Sequence, residues 1–202
     1  MKNSNDLMWD EKLNVSTESV DYSEEDNQNY GYDPTPYIVL ERLVQLDILK
    51  KEDVIVDYGC GKGRIAFFVN SQVGCRVIGI DHSETLVKKA NKNLKSYGDG
   101  ENITFISSKA EDYVPDEANC FYFFNPFSTR IFSQVLKRIQ QSYEKNPREI
   151  LIFFYYSTIE YKLYLPTEPR LELIESLYFS ENEINNSSPA ELSIFRFHPL
   201  ED

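Results

Sequence analysis

Nine residues, VDYGCGKGR at 56–64, set three glycines at alternate positions just after an acid, Asp57. Glycine lets backbone approach a ligand closely and permits φ > 0. A dinucleotide fingerprint spaces its glycines G-x-G-x-x-G. Here Gly59, Gly61 and Gly63 are spaced G-x-G-x-G, and Arg64 holds the place of the third fingerprint glycine. The phosphate-cradling pattern G-x-x-x-x-G-K-[ST] does not fit either. A carboxylate ahead of the loop repels pyrophosphate and favours a cationic ligand. A second acid, Asp81, stands eighteen residues past Gly63. A carboxylate there can accept both hydroxyls of a ribose, in charge-assisted contacts worth roughly 1.5–3 kcal/mol. A third stretch, CFYFFNPFS at 120–128, runs four aromatics into Asn125, Pro126 and Phe127. Asn125 offers an amide oxygen that accepts from an amine N–H, and Pro126 removes a backbone donor. Phe127 offers a ring to stack on a flat substrate or to wall a pocket. The plainer alternative is that Asn125-Pro126 only ends a strand.

These residues need elements to carry them. DVIVD (53–57) predicts a short β-branched strand whose tip delivers Asp57, followed by a helix from Arg64 to Gln72. CRVIGID (75–81) predicts a second strand ending in Asp81, and Glu84 to Tyr97 a helix with Ser83 as its N-cap. NITFIS (102–107), NCFYFFN (119–125) and EILIFFYY (149–156) predict three more strands. Ser128 to Tyr143 carries Ile131, Phe132, Val135, Leu136 and Ile139 at amphipathic helix spacing. A helix from Tyr37 to Leu49 is expected ahead of them all, capped near Thr35 with Pro36 in its first turn. Strands alternating with helices imply right-handed crossovers. RLELIESLYF (170–179) and ELSIFRFH (191–198) read as two strands joined by a polar loop with no helix between. The expected fold is therefore α/β: a doubly wound, mostly parallel seven-stranded sheet, helices on both faces, closed by a C-terminal antiparallel hairpin. In such sheets ligands bind outside the C-terminal strand ends, at the switch point.

VDYGCGKGR followed by VIGIDHS resembles the first two motifs of the class I S-adenosylmethionine-dependent methyltransferases. The resemblance runs from about Tyr37 to the terminal hairpin. It implies S-adenosyl-L-methionine as cofactor, a sulfonium compound that suits the two acids. It places Asp57 on the methionine ammonium, directly or through water, with Tyr58, Gly59, Cys60 and Gly61 lending backbone to the methionine portion. It sets Asp81 on the ribose and His82 against the adenine. Past the third strand the family often has an acid before a small residue. This chain has Lys109 before Ala110, so Glu111 is the candidate for the adenine amino group, and the N–H of Ala110 or Glu111 for the ring nitrogen. The family pattern does not specify Lys62, read as a solvated loop cation, or Arg64. Asn125-Pro126-Phe127 is similar to the Asn-Pro-Pro-aromatic motif of methyltransferases that modify amide or exocyclic amino nitrogens, and departs from it by one proline. That leans the acceptor toward a nitrogen nucleophile on a small molecule or a protein side chain. The rival expectations are a module that binds S-adenosylmethionine without catalysis, and a nicotinamide-dependent oxidoreductase.

The totals bound these readings. The 202 residues suit one domain with a full core. Net charge is −12, and residues 1–30 hold eight acids against two lysines, half of that total. This segment reads as an acidic flexible tail or as a lid, Met8-Trp9 being its anchor, with 31–202 the methyltransferase-like domain. A nucleic-acid binder needs clustered cations, and no basic run here exceeds two lysines. Nucleic acid is therefore not the expected partner. No apolar run spans a membrane and no signal-peptide core is present, which leads to the expectation of a cytoplasmic protein. Three cysteines without a Cys-x-x-Cys pair, and two distant histidines, give no zinc pattern. The tyrosines of YGYDPTPY, the pair Tyr155-Tyr156 and the segment YKLYLPTEPR (161–170) are candidates to line or cover a pocket.

Overall fold

The computed structural model describes residues 4–22, 29–156 and 158–200. Five short apolar runs form parallel strands: β1 (Val54–Tyr58), β2 (Arg76–Asp81), β3 (Ile103–Ser107), β4 (Cys120–Phe124) and β5 (Leu151–Tyr155). Their β-branched and aromatic content suits strands covered on both faces. Two longer strands, β6 (Leu171–Phe179) and β7 (Ala190–Phe197), form the antiparallel hairpin, and β7 joins β5 antiparallel. The order is β3-β2-β1-β4-β5-β7-β6, the expected seven-stranded sheet. Its switch point lies between β1 and β4.

The helices are α1 (Ser4–Lys12), α2 (Tyr37–Gln45), α3 (Arg64–Val73), α4 (Glu84–Tyr97), α5 (Thr129–Lys145), α6 (Ile159–Tyr164) and α7 (Glu181–Ile184). Strand alternation sorts the side chains into two cores. Ile55, Tyr122 and Phe153 pack with Trp9, Leu40, Phe67 and Ala90 from α1 to α4. Val56, Tyr58, Phe121 and Phe123 pack with Phe132 and Leu136 of α5 and Tyr161 of α6. The aromatic run of β4 thus serves both cores.

Several details differ from the sequence reading. Pro36, not Thr35, is the N-cap of α2, because the Thr35 hydroxyl is engaged with that of Tyr122 at 3.2 Å. The loop between β6 and β7 holds the single turn α7, closed by a reciprocal cap between Ser180 and Glu183. Residues 4–22 are packed rather than loose. Trp9 meets Phe68 edge-on at 4.8 Å and donates to Glu41 Oε1 at 2.6 Å. With Leu13 one turn later it supplies an apolar stripe that enters the first core. Glu24, Glu25 and Asp26 of the acidic segment lie outside the described residues. YKLYLPTEPR packs mostly inward: Tyr161 and Leu165 sit in the second core, Glu168 and Arg170 form a buried ion pair at 2.6 Å, and Lys162 lines a surface groove. Among the described residues no helix is long and apolar enough to cross a membrane.

Candidate functional site

The loop between β1 and α3 is pinned onto β2. The N–H groups of Gly59 and Cys60 both donate to the Ile80 carbonyl, at 2.8 and 3.0 Å. Gly59 has φ 78°, and a Cβ there would stand 2.6 Å from the Pro126 ring. Gly61 has φ 54°, and a Cβ there would collide with the Tyr32 ring at 2.0 Å. The glycines therefore admit close neighbours on two sides, the β4 tip and the N-terminal segment.

Asp81 ends β2. Its Oδ2 accepts from the Gly61 N–H and its Oδ1 from the Ser83 N–H, both at 2.9 Å. An ionised carboxylate has about four acceptor positions, so it can still take ligand hydroxyls. Asp81 and His82 line a recess of about 50 Å³ with Gly59, Phe124 and Pro126. A narrower recess beside it adds Ala110 and Phe127, and a groove of about 380 Å³ continues past His82 to Ala110, Glu111 and Arg130. The three form one run from the glycine loop to the β3 tip, as their shared residues show.

Asp57 does not line these recesses. Alternation points it into the first core beneath the glycine loop, where it is 2% exposed and its Oδ2 has no partner among the described residues. Burial, then the charge of Asp81, pushes its pKa up to about 8. Such an orphaned carboxyl fits a cationic group arriving at the loop. Tyr58 falls on the opposite face of β1. Its ring stacks on Phe123 at 5.2 Å in the second core, so its side chain is not part of the site. Cys60 is buried with its thiol pKa pushed up by desolvation, which leaves only its backbone for a ligand.

The Asn-Pro-Phe residues divide their roles. Asn125 adopts φ 40°, and its Oδ1 is buried without a partner among the described residues. The Pro126 carbonyl accepts from the Tyr30 N–H at 3.2 Å. Phe127 is buried edge-on against Tyr58 and Phe123, 6.4 and 6.1 Å between centroids, so it walls the recess and is not free to stack on a substrate. The β4–β5 register pairs Phe124 with Tyr155. Asn125 and Tyr156 therefore leave adjacent strand tips side by side, and Tyr156 too has a positive φ, 55°.

The strap from Thr17 to Asp33, as far as it is described, brings Tyr30 and Tyr32 of YGYDPTPY to the recess as pocket-lining residues. Asp21, Tyr30, Gly31, Tyr32 and Asp33 roof the first recess. Asp21 and Tyr32 exchange backbone hydrogen bonds of 2.9 and 2.7 Å, and the Tyr32 hydroxyl donates to the Thr17 carbonyl at 2.7 Å. Lys62 is not a solvated cation. It is 5% exposed, donates to the Ser19 carbonyl at 2.5 Å, and lies over the Tyr32 ring. Desolvation and the Lys89 charge lower its pKa. Arg64, 2% exposed, donates to Thr17 Oγ1 at 2.7 Å and to the Thr35 carbonyl at 3.1 Å. It pairs with Asp6 at 3.1 Å. Asp10 accepts from the hydroxyls of Thr17 and Tyr37 at 2.6 and 2.8 Å. The available signal was Asp6 and Asp10, four residues apart on one helix face beside Trp9.

Residues 55–144 match the family model described as a methyltransferase domain. S-adenosylmethionine is the cofactor such a domain implies, and the orphaned Asp57 and the glycine cradle fit it. Over 59 residues the chain is 37% identical to a histone-lysine N-methyltransferase, H3 lysine-79 specific, of Dictyostelium discoideum, covering 29% of this chain and 3% of that protein. Over 68 residues it is 26% identical to a protein-lysine N-methyltransferase of Saccharolobus islandicus, covering 33% of this chain and 42% of that one. The matches thus span less than half the length of these relatives. Among solved structures, an RNA methyltransferase from Salinibacter ruber in complex with S-adenosyl-L-homocysteine superposes with a TM-score of 0.57 at 23% identity. That match covers 84% of this chain and 95% of the other, and shows a shared fold.

Proposed function

We propose that the protein transfers a methyl group from S-adenosylmethionine to a nitrogen nucleophile, the side-chain amine of a lysine in another protein. The proposal rests on the buried Asn125 amide oxygen at the β4 tip, unpartnered among the described residues and flanked by the recess residues Phe124 and Pro126. An acceptor there holds an amine N–H and orients the nitrogen lone pair for in-line attack. The net charge of −12 favours a cationic partner over RNA. The two lysine-modifying relatives support the same substrate class.

The cofactor supplies an electrophilic methyl group on a positively charged sulfur. Transfer forms one N–C bond and breaks one C–S bond, whose electron pair stays on sulfur as a neutral thioether. The lysine ammonium first gives up one proton to water. Asp57 would neutralise a ligand ammonium, Asp81 would take the ribose hydroxyls, His82 would face the adenine, and Ala110 and Glu111 would edge the adenine end. The strap acts as a lid. The recess it roofs is about 50 Å³ and continues into the groove of about 380 Å³, so lifting of the strap widens the narrow end of one continuous site.

Incubating the purified chain and a cell lysate with methyl-labelled cofactor tests the substrate class. Label should appear in protein and survive acid hydrolysis as methyl-lysine. Label in RNA or in the small-molecule fraction would overturn it. Asn125→Ala should leave calorimetric affinity for S-adenosylhomocysteine unchanged and lower kcat by about 10²-fold, the scale of one positioning contact. Unchanged turnover would remove Asn125 from the chemistry.

A further inference from the structure

A second groove, of about 530 Å³, opens beyond the β5 tip. Its walls include Tyr156, Ile159, Tyr178, Pro189 and Glu191. Ile159 and Tyr178 are 74% and 68% exposed, unusual for large apolar side chains grouped at one site. The Thr158 hydroxyl, also lining it, is buried and has no partner among the described residues.

This groove meets the cofactor cleft at one place. Tyr156 lines the groove, Phe124 lines the cleft, and their rings touch edge-on at 6.0 Å. Between them stand the adjacent strand tips Asn125 and Tyr156. Both hold left-handed backbone, a cost of ~1–3 kcal/mol each that clusters at functional sites. The Tyr156 conformation is fixed from the groove side, where its N–H donates to the Glu191 carbonyl at 3.0 Å.

The groove lining carries one carboxylate, Glu191, and one cation, Lys162. The Glu191 carboxylate accepts from the Ser176 and Ser193 hydroxyls at 2.7 and 3.1 Å, and among the described residues no cation pairs with it. Glu160 neighbours Ile159 in sequence, and Lys162 is the one cation among the lining residues. Aromatic and aliphatic walls beside the Glu191 carboxylate suit a lysine side chain, whose stem is apolar and whose head is cationic, in a chain whose net charge is −12.

We propose that this groove docks a lysine-rich, extended segment of the protein substrate and passes its acceptor side chain between Tyr156 and Asn125 to the cofactor. This rests on the amine-transfer function proposed above and adds to it the route and the partner's chemistry. The groove takes basic peptide, and Tyr156 is the residue that the lysine stem passes.

The test uses the full chain without cofactor and fluorescein-labelled nonalysine, read by anisotropy. Nonalysine should bind, and Ile159→Asp and Tyr178→Ala, both at exposed positions, should each change its affinity. Tyr178→Ala should weaken it by about ten-fold, the size of one lost aromatic contact. Ile159→Asp should lower the contribution of the apolar wall while adding charge, so salt-resistant affinity falls. Glu191→Gln, which keeps the serine contacts, should weaken binding and flatten its salt dependence. All three should bind S-adenosylhomocysteine as the parent does. Unchanged nonalysine affinity in Tyr178→Ala and Glu191→Gln overturns the groove, as does equal binding of nonaglutamate or of a single-stranded oligonucleotide. The two proposals fail separately. Groove-dependent peptide binding with no label transferred to lysine overturns amine transfer alone, and transfer that ignores the groove variants overturns docking alone.

Discussion

Asp57 and Asp81 are acids at neighbouring strand tips with opposite surroundings. Asp81 is held by two backbone N–H groups at 2.9 Å and faces the recess. Removing its carboxyl should cost the ribose contacts: Asp81→Ala is expected to weaken S-adenosylhomocysteine binding at least about ten-fold by calorimetry. Asp57 is sealed under the loop with a pKa of about 8 against an ordinary 3.8. Between those values the folded chain keeps a proton that the unfolded chain has released. This group's contribution to stability is therefore whole in acid and is lost as pH rises from about 4 to about 8. Asp57→Asn should flatten that part of the urea-unfolding profile; an unaltered profile would show that Asp57 is ionised in the folded chain. Both acids were legible from their place after β-branched runs. Their difference was not, because burial depends on what covers the loop.

At the scale of elements, β1 to α5 could be read from periodicity almost residue by residue. Ser83, for example, caps α4 as expected, accepting from the Leu86 N–H at 3.1 Å. The strap was read only as a tail or lid. Its hold comes from side chains distant in sequence: Arg64 reaches Thr17, Thr35 and Asp6, and Lys89 pairs with Asp21 at 2.6 Å. Arg64→Met keeps the stem and removes the charge, leaving Asp6 and Asp10 without their buried counter-ion. It should lower unfolding stability by about 3–5 kcal/mol. The amides of Tyr30 and Tyr32 should also lose hydrogen-exchange protection before those of β1 and β4. Loss that is uniform across the sheet would show that Arg64 supports the core and not the strap.

For the whole molecule, net charge biases which partners approach. A chain of net charge −12 attracts basic segments from a distance, an effect screened beyond a Debye length of about 8 Å at physiological salt. Association with nonalysine should therefore slow as salt rises from about 50 to 500 mM while the rate for S-adenosylhomocysteine, which is small and close to neutral overall, changes little. Equal salt slopes would remove long-range charge from recognition. The sequence by itself determined the strands, the crossovers, the terminal hairpin and the two acids at strand tips, since these follow from local periodicity and short-range chain geometry. Only the tertiary structure decided that Tyr58 turns into the second core, that Lys62 and Arg64 are buried under a packed N-terminal strap, and that Asn125 meets Tyr156. Those outcomes come from contacts between residues far apart along the chain, whose energies depend on desolvation and packing that no local pattern encodes.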